Sequence, residues 1–361
     1  MNTRSNAVIL NFDQALASIR DGLSVALRID HMLWVANDET TSLERLSIKP
    51  AAPGEEVICD AHKTFPLMEY LNLPVADPDE EIDIEGLAYD QHYLWLVGSH
   101  SLKRKKAEPD KPAEKNIKRL STIVPDGNRF LLARIPVERQ HDSQELARVV
   151  AADGRTAAQL RGNTLGNDLM REIAKDDQLR EFLRIPGKDN GFDIEGLAVI
   201  GSRLFLGLRG PVLRGWAVLL EIEPELDSGS TDTLVLKKIG PDGRSYRKHF
   251  FSLHGLGVRD LCVSGKNLLI LAGPTMDLDG PVTVFRWRGG FPAEAESVVF
   301  AEQLETALQV PFGQGDDHAE GMCLFDVGTE GEEVVLIVYD AVAERRKRGE
   351  RSVEGDLFSL K

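Results

Sequence analysis

One phrase occurs twice in this chain and is paraphrased three more times. Asp83-Ile84-Glu85-Gly86-Leu87-Ala88 recurs letter for letter as Asp193-Ile194-Glu195-Gly196-Leu197-Ala198, and looser copies stand at Asp21-Gly22-Leu23, Arg259-Asp260-Leu261 and Ala319-Glu320-Gly321-Met322. Each copy is followed by a second apolar run, such as Leu94-Trp95-Leu96-Val97 or Leu336-Ile337-Val338-Tyr339. A unit repeated every few tens of residues fixes the architecture before any single element does, because one such unit cannot bury its own apolar face.

The key residues Leu23, Leu87, Leu197, Leu261 and Met322 lie 64, 110, 64 and 61 residues apart. The long gap has a visible cause. Leu165, Leu169, Ile173, Leu179, Phe182 and Leu183 recur at three- and four-residue steps among charges, which predicts a helical insertion over residues 155–186. Four short β-like runs fit each unit. In the second they are 86–89, 93–97, 129–137 and 146–151, and in the third 196–200, 203–208, 216–222 and 233–239, with Gly201-Ser202 and Pro241-Asp242-Gly243 as turns. Four strands at this period make a propeller blade. The expectation is one all-β domain over residues 1–361, a β-propeller of five blades. Six remain open if residues 40–80 hide another, and a solenoid is the other way to stack such units. The last unit lacks a fourth strand, and the run Ala7–Phe12 lacks partners. Pairing the two closes the ring and removes two exposed edges.

Composition adds limits. A net charge of −15 argues against nucleic acid and anionic membranes as bulk partners, and no apolar stretch reaches a transmembrane length. The N-terminal apolar run is too short for a signal peptide, which makes the cytoplasm the expected location. Cys59, Cys262 and Cys323 are far apart and show no CxxC spacing; Cys262 and Cys323 read as buried reduced thiols.

The first strand of a propeller blade lines the central channel, and the second returns to the same face. The starts of one set and the ends of the other therefore meet at one rim. The starts supply Asp21, Asp83, Glu85, Asp193, Glu195, Arg259, Asp260, His318 and Glu320; the ends supply Asp38, Ser99, His100, Arg209, Gly273, Pro274 and Asp340. Crowded carboxylates repel and need a cation, a proton or an arginine. A Ca²⁺ or Mg²⁺ ion held by Asp83, Glu85, Asp193, Glu195 and Glu320 is one solution, since hard cations take several oxygen ligands. Such acids can equally lock blade to blade. Arg209, with Arg214 close behind, suits a carboxylate or phosphate, or simply pairs with Glu195 or Asp193. Residues 101–125 form a basic loop insertion that includes Lys103 and Arg104, and 344–351 form a second basic stretch. Each is either a flap toward an anionic ligand or a solvated loop.

Together, Asp-Ile-Glu-Gly-Leu-Ala, Gly98-Ser99-His100-Ser101 with its Lys/Arg-rich sequel, Gly207-Leu208-Arg209-Gly210-Pro211, Arg259-Asp260-Leu261 and Ala319-Glu320-Gly321 resemble a bacterial family known only as a domain of unknown function. The resemblance covers roughly residues 20–345 and implies a propeller. A more distant likeness runs to the esterase-like phytase propellers, which also repeat Glu-Gly-Leu. Another runs to the gluconolactonase and regucalcin propellers, in which a Glu before Gly binds a divalent metal. That role would map to Glu85 or equally Glu195, although this chain has Leu after the Gly where those lactonases have Pro.

Two functions compete at this stage. The first is a metal-assisted hydrolase of phosphate esters or other small anions. In it the metal activates water, Arg209 and Arg259 hold the anion together with Ser99, Arg214, Lys103 and Arg104, and His100 or His318 shuttles protons. The second is a non-catalytic propeller that serves as a scaffold or senses a ligand, with a protein or small-molecule partner.

Overall fold

Each copy of the repeated phrase becomes, or adjoins, the inner strand of a four-stranded antiparallel meander. The computed structural model describes residues 4–13, 17–52, 55–77, 80–140, 143–276, 278–289, 293–326 and 332–361. Within them, unit I comprises Leu23–Ile29, Met32–Asn37, Ser42–Ile48 and Val57–Pro66. Unit II comprises Ile84–Asp90, Tyr93–Gly98, Leu132–Gln140 and Ala158–Leu160, and unit III Asp193–Ile200, Arg203–Gly210, Trp216–Ile222 and Tyr246–Ser252. Unit IV comprises Gly257–Ser264, Asn267–Gly273, Val282–Arg288 and Leu304–Val310. Unit V comprises His318–Leu324, Val334–Asp340 and Ser352–Ser359, completed by the N-terminal strand Arg4–Asn11. The inner strands pack against one another in this order, and that of unit V packs against that of unit I. The result is a β-propeller.

The closure expected from the sequence is present. Arg4–Asn11 runs antiparallel to Ser352–Ser359, and its other edge pairs in parallel with Val57–Pro66 of unit I. Neither edge is left open for another chain. Apolar clusters fill the wedges between successive units: Leu87 and Leu96 meet Trp34 and Phe65, Leu197 and Leu206 meet Val97 and Leu132, and Leu261 and Ile270 meet Phe205 and Phe251. Among the described residues, no helix is long and apolar enough to cross a membrane.

Four local expectations are corrected. The outer strand of unit III is Tyr246–Ser252, whose side chains alternate between buried and open positions, and not 233–239. Thr233–Leu236 instead pairs in parallel with Ala158–Leu160 and extends unit II. The outer strand of unit II is Ala158–Leu160, while Ser143–Leu146 folds back as a side hairpin on Leu132–Gln140. Residues 155–186 hold one helix, Asp168–Ile173, and short 3-10 turns, because strand pairing captures 158–160. In the fourth correction the unit I copy is out of register. Val25, not Gly22, occupies the slot of Gly86, so Asp21 lies off the inner strand and pairs with Arg20 and Lys347.

The repeated glycine is explained by close approach. A Cβ on Gly86 would lie 2.6 Å from the Leu197 Cβ and 2.8 Å from Val97 Cγ1; one on Gly321 would lie 2.8 Å from the backbone of Val25 and Ala26. Glycine is what lets neighbouring inner strands touch. Gly86→Ala is expected to cost about 2–3 kcal/mol, as overpacking does where backbone must yield. Urea denaturation would measure it, and a loss below about 0.5 kcal/mol would contradict the close packing.

Candidate functional site

A second feature is shared by all five inner strands. In each, the pairing register slips by one residue, and the skipped residue is Ser24, Glu85, Glu195, Arg259 or Glu320. A bulge leaves its residue out of the ladder and re-aims the side chain. The recurring acid of the sequence phrase is this bulge residue. The Glu-Gly pair thus divides its labour, with the bulge presenting a side chain and the glycine allowing contact.

The five slots are not equivalent in charge. Arg259 stands between two acids: its Nη1 reaches Glu320 Oε1 at 2.7 Å and Glu195 Oε2 at 3.3 Å, while Nη2 donates to the Pro274 carbonyl at 3.0 Å. Arg209, from the end of unit III's second strand, binds Glu195 Oε1, approaches Asp193 at 3.5 Å and donates to the Thr275 carbonyl. Asp83 is held by Arg129 at 2.7 Å. Ser24 is buried and donates to the Ile84 carbonyl at 2.6 Å. Glu85 remains. Among the described residues, no hydrogen bond or ion pair reaches it, nor does one reach Asp38 at the end of unit I's second strand. Gly22 keeps that corner open, since a Cβ there would lie 3.3 Å from Asp340 Oδ1 and 3.4 Å from Asp38 Oδ1.

Burial followed by mutual repulsion moves the protons accordingly. Burial, then the charges of Asp83, Glu195, Glu320 and Asp38, push Glu85 well above the usual carboxyl range. Asp38 is raised to about 8 by burial, then by Asp83, Glu320 and Asp340, with Lys188 opposing. Burial lifts Asp193 to about 7 against the pull of Arg209, and raises Glu195 against Arg209 and Arg259. Asp260 is also raised well up by burial, although it accepts from the Met322 and Leu261 amides at 2.7 Å each, a structural clamp between units IV and V. Near neutral pH, the mouth therefore holds carboxyls in both protonation states.

Beside this ring opens a cavity of about 140 Å³, whose lining includes Glu320 and Asp340 but neither Glu85 nor Asp38. Arg209, Arg259, His318, Glu320 and Asp340 line it together with Lys106, which belongs to the expected basic insertion, and Lys188, which the sequence did not single out. Every acid on its wall is already engaged: Glu320 by Arg259, Asp340 by the Ala341 amide, Asp317 by Arg346, and Asp279 by the Gly315 amide and His318 at 3.4 Å. Among the described residues, no ion pair reaches the Lys106 ammonium. Lys106 comes from the basic insertion, in which none of residues 102–126 is buried. Contacts that tie that segment down include Lys103 to Glu81 at 2.8 Å, Arg104 to Asp189 at 2.7 Å and the Gly187 amide donating to the Leu102 carbonyl at 3.1 Å.

The other sequence candidates lie elsewhere. His100 is buried; one ring nitrogen lies 2.7 Å from the Gly98 carbonyl and the other 2.7 Å from Asn167 Nδ2, and burial lowers it to about 4. With both nitrogens occupied, it latches unit II and does not face the cavity. Ser99 belongs to an internal chain in which Ser101 Oγ donates to it at 3.0 Å and Arg129 donates to Ser101. Lys103, Arg104 and the exposed Arg214 do not line the cavity. In the second basic stretch, Arg346 is buried between Asp317 and Asp356 at 2.8 Å each. Of the five acids expected to hold Ca²⁺ or Mg²⁺, four are paired with guanidinium groups: Asp83 with Arg129, Asp193 and Glu195 with Arg209, and Glu320 with Arg259. Among the described residues no group of three or more His, Cys, Asp or Glu side chains is disposed to hold an ion.

Fold and site together define a β-propeller whose channel mouth is a ring of bulge-presented carboxyls compensated by arginines. The chain belongs to the family described as protein of unknown function DUF3616, whose model matches residues 22–356. No curated protein matches the sequence. Among solved structures, it is similar to the PQQ-bound aldose sugar dehydrogenase of Streptomyces coelicolor, at 11% identity over 99% of this chain and 100% of that one, with a TM-score of 0.35. It is similar to a glucose dehydrogenase at 12% identity over 96% and 85%, TM-score 0.35. It is also similar to hydrazine synthase of Kuenenia stuttgartiensis at 8% identity, TM-score 0.33, covering 90% of this chain but only 58% of that one. At these scores none carries an argument about function.

Proposed function

We propose that the channel mouth binds a small anion and hydrolyses an ester of it by acid–base catalysis through Glu85 and Asp38. The observation that carries the reading is the charge accounting. Among the described residues every acid on the cavity wall has a partner and no ion pair reaches Lys106, while burial and like charges hold protons on Glu85 and Asp38, two ring carboxyls without partners. A protonated carboxyl can donate to an anion and can give its proton to the leaving oxygen as the ester bond breaks. An ionised neighbour takes the proton of the water whose oxygen forms the new bond. Arg209 and Arg259 hold Asp193, Glu195 and Glu320 in place and favour their ionised forms. The chemistry is thereby assigned to protons on side chains and not to a divalent metal.

The test is turnover of p-nitrophenyl phosphate and p-nitrophenyl acetate in EDTA, across pH 5–10. Turnover is expected to fall as pH rises through about 8, where Asp38 gives up its proton. Glu85→Gln should cost about 100-fold or more, the usual share of a general acid or base. Equal activity in Glu85→Gln and Asp38→Asn would overturn the assignment. Anion binding without turnover of either ester would favour a ligand-sensing propeller instead. That second reading draws on the engagement of both arginines by protein carboxylates.

A further inference from the structure

The cavity has a second wall. Pro274, Met276, Leu278, Val282 and Phe312 also line it, all from loops and strands of unit IV. Met276 is 43% exposed, Leu278 60% and Phe312 51%. Exposed large apolar side chains are unremarkable singly, but three gathered at the rim of one cavity form a patch of the kind that marks a binding site. Neither the propeller core nor the carboxyl ring accounts for them.

We infer that the ligand is an amphipathic organic anion, with a single ring or a short branched chain against Met276, Leu278 and Phe312 and an acidic head toward Lys106 and Arg259. This rests on the small-anion reading of the same site and adds the part of the molecule that the charges do not see. Size supports it, since an apolar protein cavity of about 150 Å³ takes up one benzene, and this cavity measures about 140 Å³. Polarity supports it too. A wholly polar anion would leave three apolar side chains in contact with water, whereas a wholly apolar ligand would strip water from the Lys106 ammonium without replacing it. Only a molecule with both ends satisfies both walls, in the usual manner of pockets lined by apolar groups with a few placed polar ones.

The test is titration calorimetry of the full chain with four probes: phenyl phosphate, glycerol phosphate, inorganic phosphate and benzyl alcohol. Phenyl phosphate is expected to bind at least about tenfold more tightly than each of the others. Phe312→Ala and Leu278→Ala, both at exposed positions that folding does not depend on, should each remove most of that advantage and leave inorganic phosphate unchanged. Lys106→Ala should weaken all three phosphates and spare benzyl alcohol. Equal binding of phenyl and inorganic phosphate, or an advantage untouched by both apolar variants, would overturn the amphipathic ligand while the small-anion site stands. Benzyl alcohol binding as tightly as phenyl phosphate would overturn the acidic head. Failure of every phosphate to bind would remove the small-anion reading itself and this inference with it.

Discussion

Arg209→Met lowers stability by about 3–5 kcal/mol at pH 8, the cost of leaving buried charge without its partner. Arg209 is buried and lies against both Glu195 and Asp193. Methionine fills much of the same volume, so lost charge dominates over lost packing. The sign with pH is distinctive. Asp193 is raised to about 7 even with the arginine present, so at pH 5 it takes up a proton and no longer needs the cation. The loss should therefore shrink by roughly half between pH 8 and pH 5. Glu195→Gln placed on top of Arg209→Met should restore about 2 kcal/mol at pH 8, because it removes one of the two stranded acids. Urea denaturation of the single and double variants at both pH values measures all of this. A loss below 1 kcal/mol at pH 8 would mean that the acids are protonated in the parent and that the arginine compensates nothing.

The same residues show what the sequence could and could not display. The Glu-Gly phrase announces a repeated unit, and its period places the inner strands of units II to V. Its two letters have separate physical causes: glycine is demanded by the approach of Gly86 to Leu197, and the acid is free to vary because it sits on a bulge. That freedom explains why Arg259 and Ser24 occupy slots held elsewhere by glutamate. It also explains the register error in unit I. Without a Glu-Gly to anchor it, Asp21-Gly22-Leu23 mimics the phrase three residues early, and only cross-strand pairing shows that Ser24 fills the slot. Thr233–Leu236 was opaque for a related reason. An apolar run of four residues does not say which neighbour it joins, and here it crosses to unit II.

Within the site, the arginine pairings were open alternatives in the sequence and are settled by distance. Lys106 was visible as part of the basic insertion, whereas Lys188 and the apolar wall were hidden, because no periodicity marks a loop residue that faces a cavity. Asp38 stood among the strand ends but carried no sign of its isolation. An unpaired carboxyl is a statement about everything around it, and no spacing rule encodes that.

That isolation makes the second large effect one of opposite sign. Asp38→Asn is expected to stabilise the protein, and increasingly so as pH rises. An aspartate free in the unfolded chain loses its proton near pH 4, while in the folded chain Asp38 holds it up to about 8. Between those values the folded state binds the extra proton, so stability falls as pH rises and levels off above about 8. Asparagine has no proton to lose and escapes the penalty. Its advantage should be nil at pH 4 and reach about 2–3 kcal/mol by pH 8, a figure already discounted for the partial exposure of the carboxyl. Glu85→Gln should move in the same direction, since burial and four neighbouring acids also press on Glu85. Glu320→Gln should do the reverse at pH 8, because it breaks the 2.7 Å ion pair with Arg259. Melting temperatures of the three variants across pH 4–9 separate the unpaired acids from the paired ones. A pH-independent effect of Asp38→Asn would show that this carboxyl ionises normally. In that case it could not serve as the proton donor at the channel mouth, and the assignment of the chemistry to protonated side chains would fall with it.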